Sequence, residues 1–189
     1  MHTCPWWFTR AFDNPLRRLF QDPRAILQPY VREGMRAADI GCGMGYFTVA
    51  LAELVGAGGL VQAVDMQPQQ LRVAARRCRR AGVEDRVRFV TAAVDSLELA
   101  GPLDFVLAFW VVHEIHDQDG LFRQLAEACR PGARVLVAEP KIHVGREMVE
   151  TQLRVAASHG FTGKMRDGLI RLSWACELER TWPAQGSDS

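Results

Sequence analysis

Three glycines set at alternate positions govern what this chain can become. They lie in Ala38-Asp39-Ile40-Gly41-Cys42-Gly43-Met44-Gly45-Tyr46-Phe47. A run that reads as a strand precedes them and a helical pattern follows. Glycine admits positive φ and lets a ligand come close to the main chain. The helix start beyond it offers amide hydrogens and the positive end of a dipole. The stretch is therefore a ligand cradle between a strand and a helix, and its ligand has to be found in the rest of the chain.

Strand and helix patterns alternate from there. Strands are expected at Met35–Ile40, Leu60–Asp65, Arg86–Thr91, Leu103–Phe109 and Arg134–Glu139. Helices are expected at Tyr46–Val55, from Pro68 to about Ala81, around Leu121, Leu125 and Ala128 up to Pro131-Gly132, and from about Arg146 to His159. Gly82 fits the place after a helix C-cap. Asp167-Gly168, between the strand-like runs Phe161–Arg166 and Leu169–Leu178, is a hairpin signal. The expected fold is α/β: a doubly wound, mostly parallel sheet closed by an antiparallel C-terminal hairpin. At 189 residues, 48% of them apolar, the chain is long enough for one domain with its own core. That domain is read as 35–182, preceded by a segment 1–34 and followed by a polar tail, 183–189, expected to fray.

Residues 1–34 hold Trp6, Trp7, Phe8 and Phe12, aromatic surface that needs something to cover. Short helices are expected at Leu16–Phe20 and Ala25–Tyr30. Two readings stand side by side, a lid across the mouth of the main domain and a plug at the sheet edge. Pro5, Arg10 and Asp13 interrupt the apolar N-terminus, against a secretory signal. No apolar run approaches the roughly 18 residues of a membrane span. A cytoplasmic protein without a membrane partner is expected.

Formal net charge is +1, too little for a field that recruits nucleic acid. The stripe Arg72, Arg76, Arg79 and Arg80 reads as a solvated helix face. The five cysteines are scattered without a CxxC pair, so neither a disulfide framework nor a zinc ribbon is indicated. His2 and Cys4 are residue types that suit a soft metal, yet each singly reads as ordinary, and no metal site is assigned.

The ligand can be narrowed. A dinucleotide fingerprint requires glycine where Tyr46 stands, and the Gly-Lys-Ser/Thr of a phosphate loop is missing. Asp39 would repel a pyrophosphate. A ligand with cationic groups and no phosphate fits better, and S-adenosylmethionine is such a ligand. Here the chain resembles the class I S-adenosylmethionine-dependent methyltransferases over most of residues 35–178. Asp39-Ile40-Gly41-Cys42-Gly43-Met44-Gly45 matches their glycine signature. Asp65 ends the second strand where the family places its acidic ribose ligand. Leu103–Trp110 and Arg130-Pro131-Gly132 match the fourth- and fifth-strand motifs.

The resemblance implies that Asp39, Gly41, Cys42, Gly43, Gly45 and Tyr46 lie around the methionine part of the cofactor. Asp65 would accept the ribose hydroxyls and Met66 would flank the adenine. Val94 and Asp95 follow the third strand, where many members carry an acidic adenine ligand. Here Ala92-Ala93 stand at those positions, so either Asp95 or a backbone carbonyl takes the role. Phe109 and Trp110 would complete the cofactor site.

Ligands sit at the carboxyl ends of strands in such sheets. His113 follows the fourth strand and is the best base by chemistry. Glu114 is open to three readings: it orients His113, binds a cationic acceptor, or is itself the base. Both residues also suit plain capping of a helix start. Glu139, which ends the fifth strand, and His143 just beyond it are placed with Trp6, Trp7 and His113 around the acceptor. The expected activity is methyl transfer to a small, partly apolar molecule, with a thiol or another soft nucleophile as the candidate. A non-catalytic cofactor-binding sensor is the alternative, and a dinucleotide-dependent oxidoreductase a remoter one.

Overall fold

The computed structural model describes residues 21–181. The reading of 1–20, including Trp6 and Trp7, and that of the polar tail lie outside the described residues. The chain divides into two compact units between Glu98 and Leu99, inside the stretch read from sequence as one domain.

The first unit begins with α1 (Pro23–Leu27), whose N-cap Asp22 accepts from the Arg24 N–H. It then runs through β1 (Arg36–Ile40), α2 (Tyr46–Val55), β2 (Leu60–Asp65), α3 (Pro68–Arg80) and β3 (Val87–Thr91). β1 and β3 pair with β2, both parallel to it. Ala37, Ala38, Val61, Ala63 and Val64 are almost wholly buried, as expected for parallel strands covered by helices. α2 packs on β1 and β2, α3 on β2 and β3, and α1 on α2. α3 ends as the sequence implies. Gly82, at φ 71°, donates to the Arg79 carbonyl and Val83 to that of Cys78, which satisfies two orphan carbonyls of the last turn.

The second unit holds β4 (Leu103–Phe109), α4 (Gln118–Ala128), β5 (Cys129–Pro140), α5 (Arg146–Ser158), β6 (Phe161–Met165) and β7 (Ser173–Arg180). β4 runs parallel to β5, while β7 lies antiparallel to both β5 and β6. The Asp117 side chain caps α4 through the Gly120 N–H at 2.8 Å. Among the described residues the elements are those of the mostly parallel, doubly wound α/β class, with seven strands and the antiparallel C-terminal pair.

Two boundaries depart from the sequence reading. β5 begins at Cys129, ahead of Pro131-Gly132. Its register with β4 jumps, from Leu103 opposite Cys129 to Phe105 opposite Arg134. Pro131 lacks a donor for the ladder and Gly132 sits at φ 79°, so this motif bulges within a strand instead of ending a helix. Arg130 secures the bulge to Asp104 at 2.6 Å. The hairpin turn is also longer than Asp167-Gly168. β7 starts only at Ser173, and Leu169–Leu172 belong to the connection. There Ser173 donates to the Ile170 carbonyl and Leu172 takes φ 62°.

Four cysteines among the described residues are free and buried, Cys42 and Cys78 in the first unit, Cys129 and Cys176 in the second. Burial raises all four thiol pKa values, to about 11 for Cys78 and about 12 for Cys129 and Cys176.

Candidate functional site

In the first unit the loop after β1 carries the three glycines, all at positive φ: 66° at Gly41, 52° at Gly43 and 78° at Gly45. They do different work. A Cβ on Gly45 would come within 2.9 Å of the Ala74 Cβ and 3.0 Å of its Cα, so Gly45 lets the loop press against α3. A Cβ on Gly43 would meet nothing within 4 Å. The backbone at Gly43 therefore faces open space, the close approach that a ligand lying on a glycine loop requires.

Asp65, at the end of β2, ties this loop down. Its Oδ2 accepts from the Gly43 N–H at 2.9 Å and its Oδ1 from the Gln67 N–H at 2.8 Å. Burial raises its pKa, and these two N–H groups oppose the rise. A carboxylate oxygen accepts more than one hydrogen bond, so both oxygens keep capacity for ribose hydroxyls. The Ala92 N–H donates to the Asp65 carbonyl, which brings the segment after β3 to the same strand ends. Met66, Val94 and Asp95 lie exposed in that cluster. The open cradle, the carboxylate and the exposed apolar flank fit S-adenosylmethionine.

Asp39 lies beneath the loop. It is 2% exposed and accepts from the Thr48 Oγ1 at 2.6 Å, which joins β1 to α2 beneath the loop. Cys42 is buried, and its N–H donates to the Val64 carbonyl. The Tyr46 hydroxyl donates to the Gln21 carbonyl at 2.9 Å, tying the first described residue to the start of α2.

In the second unit, His113 follows β4 on a single 3-10 turn, Val112–Glu114. Glu139 is the penultimate residue of the neighbouring parallel strand β5. The register brings their side chains together: Nδ1 of His113 lies 2.6 Å from Oε2 of Glu139, and the His113 N–H donates to Oε1 at 2.9 Å. The Gln152 amide, from α5, donates to the same Oε1 at 3.1 Å. Glu139 is 0% exposed. It therefore stands behind His113 and holds it, correcting the expectation that Glu139 lines the acceptor pocket.

For His113 the largest single influence is burial, which lowers its pKa. The hydrogen bond and charge of Glu139, with the charge of Glu114, outweigh it, and the net shift is upward from 6.5. Glu114 is exposed and adds to this field, while the orienting partner is Glu139. On the other side of the ring, Nε2 of His113 lies 3.1 Å from Nε2 of His143. The His143 ring is exposed and stands edge-on to that of His113.

Phe109 ends β4 and Trp110 follows it. Trp110 takes φ 59°, a costly conformation for a bulky residue. Its N–H donates to the Ala138 carbonyl at 2.7 Å and its indole N–H to the Ser173 hydroxyl at 2.9 Å. The tryptophan thus bridges β4, β5 and β7. Gln152 and Ser173 were not singled out from the sequence. A glutamine within the apolar face of a helix was the one available signal.

A separate groove lies at the carboxyl ends of α4 and α5, lined by Arg123, His159, Phe161 and Arg180 among others. Arg180 is engaged there with the carbonyls of Ala126, Gly160 and Thr181. Among the described residues no three or more His, Cys, Asp and Glu converge as metal ligands. No helix there is long and apolar enough to cross a membrane.

Comparison with known proteins agrees with this geometry. The methyltransferase domain family matches residues 32–171. A ubiquinone biosynthesis O-methyltransferase of Caulobacter sp. (strain K31) is 37% identical over 148 residues, 70% of this chain and 57% of that protein. A ubiquinone/menaquinone biosynthesis C-methyltransferase of Pasteurella multocida (strain Pm70) is 32% identical over 110 residues, 58% of this chain and 41% of that protein. The chain thus spans about half the length of these relatives. Among solved structures, a SAM-dependent methyltransferase from Aquifex aeolicus superposes with a TM-score of 0.83 at 20% identity, covering 95% of this chain and 100% of that one. With the glycine cradle and Asp65 at the ends of β1 and β2, these matches place the chain in the class I S-adenosylmethionine-dependent methyltransferase family.

Proposed function

We propose that this chain methylates a hydroxyl oxygen of a small, partly apolar molecule, with the His113–Glu139 pair receiving the proton. The observation that carries this reading is the 2.6 Å contact between His113 Nδ1 and a fully buried carboxylate. A histidine held in this way is the usual form of a general base. A hydroxyl needs such a base more than a thiol does, because far less of a hydroxyl is ionised near neutral pH. The relatives named for ubiquinone biosynthesis O-methylation support oxygen as the acceptor atom. The thiol reading rested on Cys4 and the N-terminal tryptophans and gains nothing from the described residues.

S-adenosylmethionine supplies, when bound, a methyl carbon on a sulfonium that is already a good leaving group. The chain's own residues do the rest. Asp65 holds the ribose hydroxyls, the open backbone at Gly43 supports the methionine part, and Met66 and Val94 flank the adenine. Asp95 or a neighbouring carbonyl receives the adenine amino group. Trp6 and Trp7 belong to the acceptor side of this proposal.

The test is a panel of phenol, thiol and amine acceptors, with calorimetry for S-adenosylmethionine. Methylated phenols are expected, and His113→Ala should lower turnover by about 10²–10⁴-fold with the cofactor dissociation constant unchanged. Turnover confined to thiols or amines would sink the oxygen assignment. An undiminished His113→Ala would remove the base. Cofactor binding without turnover on any acceptor would favour the sensor.

A further inference from the structure

His113 cannot present a free nitrogen to an acceptor. Oε1 of Glu139 already receives two N–H donors, from His113 and Gln152, so the glutamate behaves as an accepting carboxylate. Nδ1 of His113 is therefore the donor to Oε2 at 2.6 Å. A neutral imidazole has one donor and one acceptor nitrogen, which leaves Nε2 of His113 as an acceptor. That acceptor faces Nε2 of His143 at 3.1 Å. Two acceptors do not attract, so Nε2 of His143 carries the proton and its Nδ1 is the basic nitrogen. Among the described residues no hydrogen bond is made to that Nδ1, and the ring is exposed.

The loop that carries His143 is held for this purpose. The Val144 N–H donates to the Pro140 carbonyl at 3.0 Å, and the Lys141 N–H to that of Leu172 at 2.9 Å. The Trp174 indole donates to the Val144 carbonyl at 2.9 Å. Pinned on both sides of the histidine, the loop keeps the ring in line with His113 while leaving its outer edge in solvent.

We propose that His143, through Nδ1, is the base that meets the acceptor, and that His113 is the station that takes over its charge. This inference rests on the oxygen-methylation reading above. The acceptor hydroxyl gives its proton to Nδ1 of His143 while the Nε2 proton of His143 passes to Nε2 of His113. The acceptor oxygen keeps the electron pair with which it forms the new bond. His113 becomes an imidazolium, with Glu139 as its buried counter-charge and Glu114 adding to the same field. The raised proton affinity of His113 agrees with that role.

Nitrogen-15 spectra of the histidine side chains at pH 8, assigned with His113→Gln and His143→Gln, read the tautomers without any acceptor. His113 is expected protonated at Nδ1 and His143 at Nε2. A His143 protonated at Nδ1 overturns the inference. Kinetics with catechol and the ionised 4-nitrocatechol then separate the proton step from positioning. His143→Gln should lower kcat on catechol by about 100-fold or more and on the ionised phenol by less than about threefold. Equal losses on both would reduce His143 to a positioning residue. Impairment in His113→Gln but not in His143→Gln overturns the relay alone, and full activity of both variants on catechol overturns the relay together with the histidine base, whereas a native protein that turns over thiols or amines but not catechol overturns the oxygen-methylation reading itself.

Discussion

Glu139 sets the behaviour of its neighbours by being buried and charged at once. Its contact is what lifts the His113 pKa above 6.5 against burial, which alone would lower it. The rising limb of kcat/KM against pH should accordingly lie above 6.5 in the native enzyme and fall below it in Glu139→Gln, where only burial and the weaker Glu114 field remain. A limb that stays put would show that His113 is not the titrating group. The stability linkage has a definite sign. A folded pKa above the unfolded one stabilises fully below about 6.5 and loses that contribution as pH rises through the folded value. Asp65→Ala removes the proposed ribose acceptor and should weaken cofactor binding by about 1–3 kcal/mol, read by calorimetry. Local sequence pointed to His113, since a histidine just past a strand end is visible as such. It could not point to Glu139 as the partner. The two are 26 positions apart and meet only through the β4–β5 register, whereas adjacent Glu114 looked the natural orienter.

At the scale of elements, the glycine loop offers a contrast between two substitutions of the same kind. Gly45→Ala places a methyl against the backbone of α3 at positive φ and should cost about 2–4 kcal/mol of stability, seen as a shifted denaturation midpoint. Gly43→Ala meets open space, so its stability cost stays near 1–2 kcal/mol from φ alone, roughly half as much. Its larger effect should fall on cofactor affinity, by about tenfold or more. If the two variants lose stability equally, the loop does not lean on α3. The core of each helix and strand was legible because apolar periodicity and caps agree locally, as at Tyr46–Val55 and Leu60–Asp65. The bulge at Pro131-Gly132 and the long turn at 166–172 were not. Both depend on what a neighbouring strand does with its hydrogen bonds, and turn residues look alike in either setting.

For the whole molecule, fold class was readable because alternating strands and helices admit few parallel arrangements. The division at Glu98 was not readable, since the Gly101-Pro102 pair just beyond it looks like any loop before a strand. The buried cysteines turn this division into something measurable. Among the described residues each unit holds two thiols kept protonated by burial, and only the thiolate reacts. A disulfide reagent at pH 8 should leave all four untouched in the native protein and modify them on denaturation. The rate at which each thiol is lost under native conditions then reports the opening free energy of its surroundings. Cys42 and Cys78 time the first unit, Cys129 and Cys176 the second. The protein thus carries two internal clocks, and adding S-adenosylmethionine should slow the first pair directly. Whether the second pair slows with it measures how far binding in one half is felt as rigidity in the other.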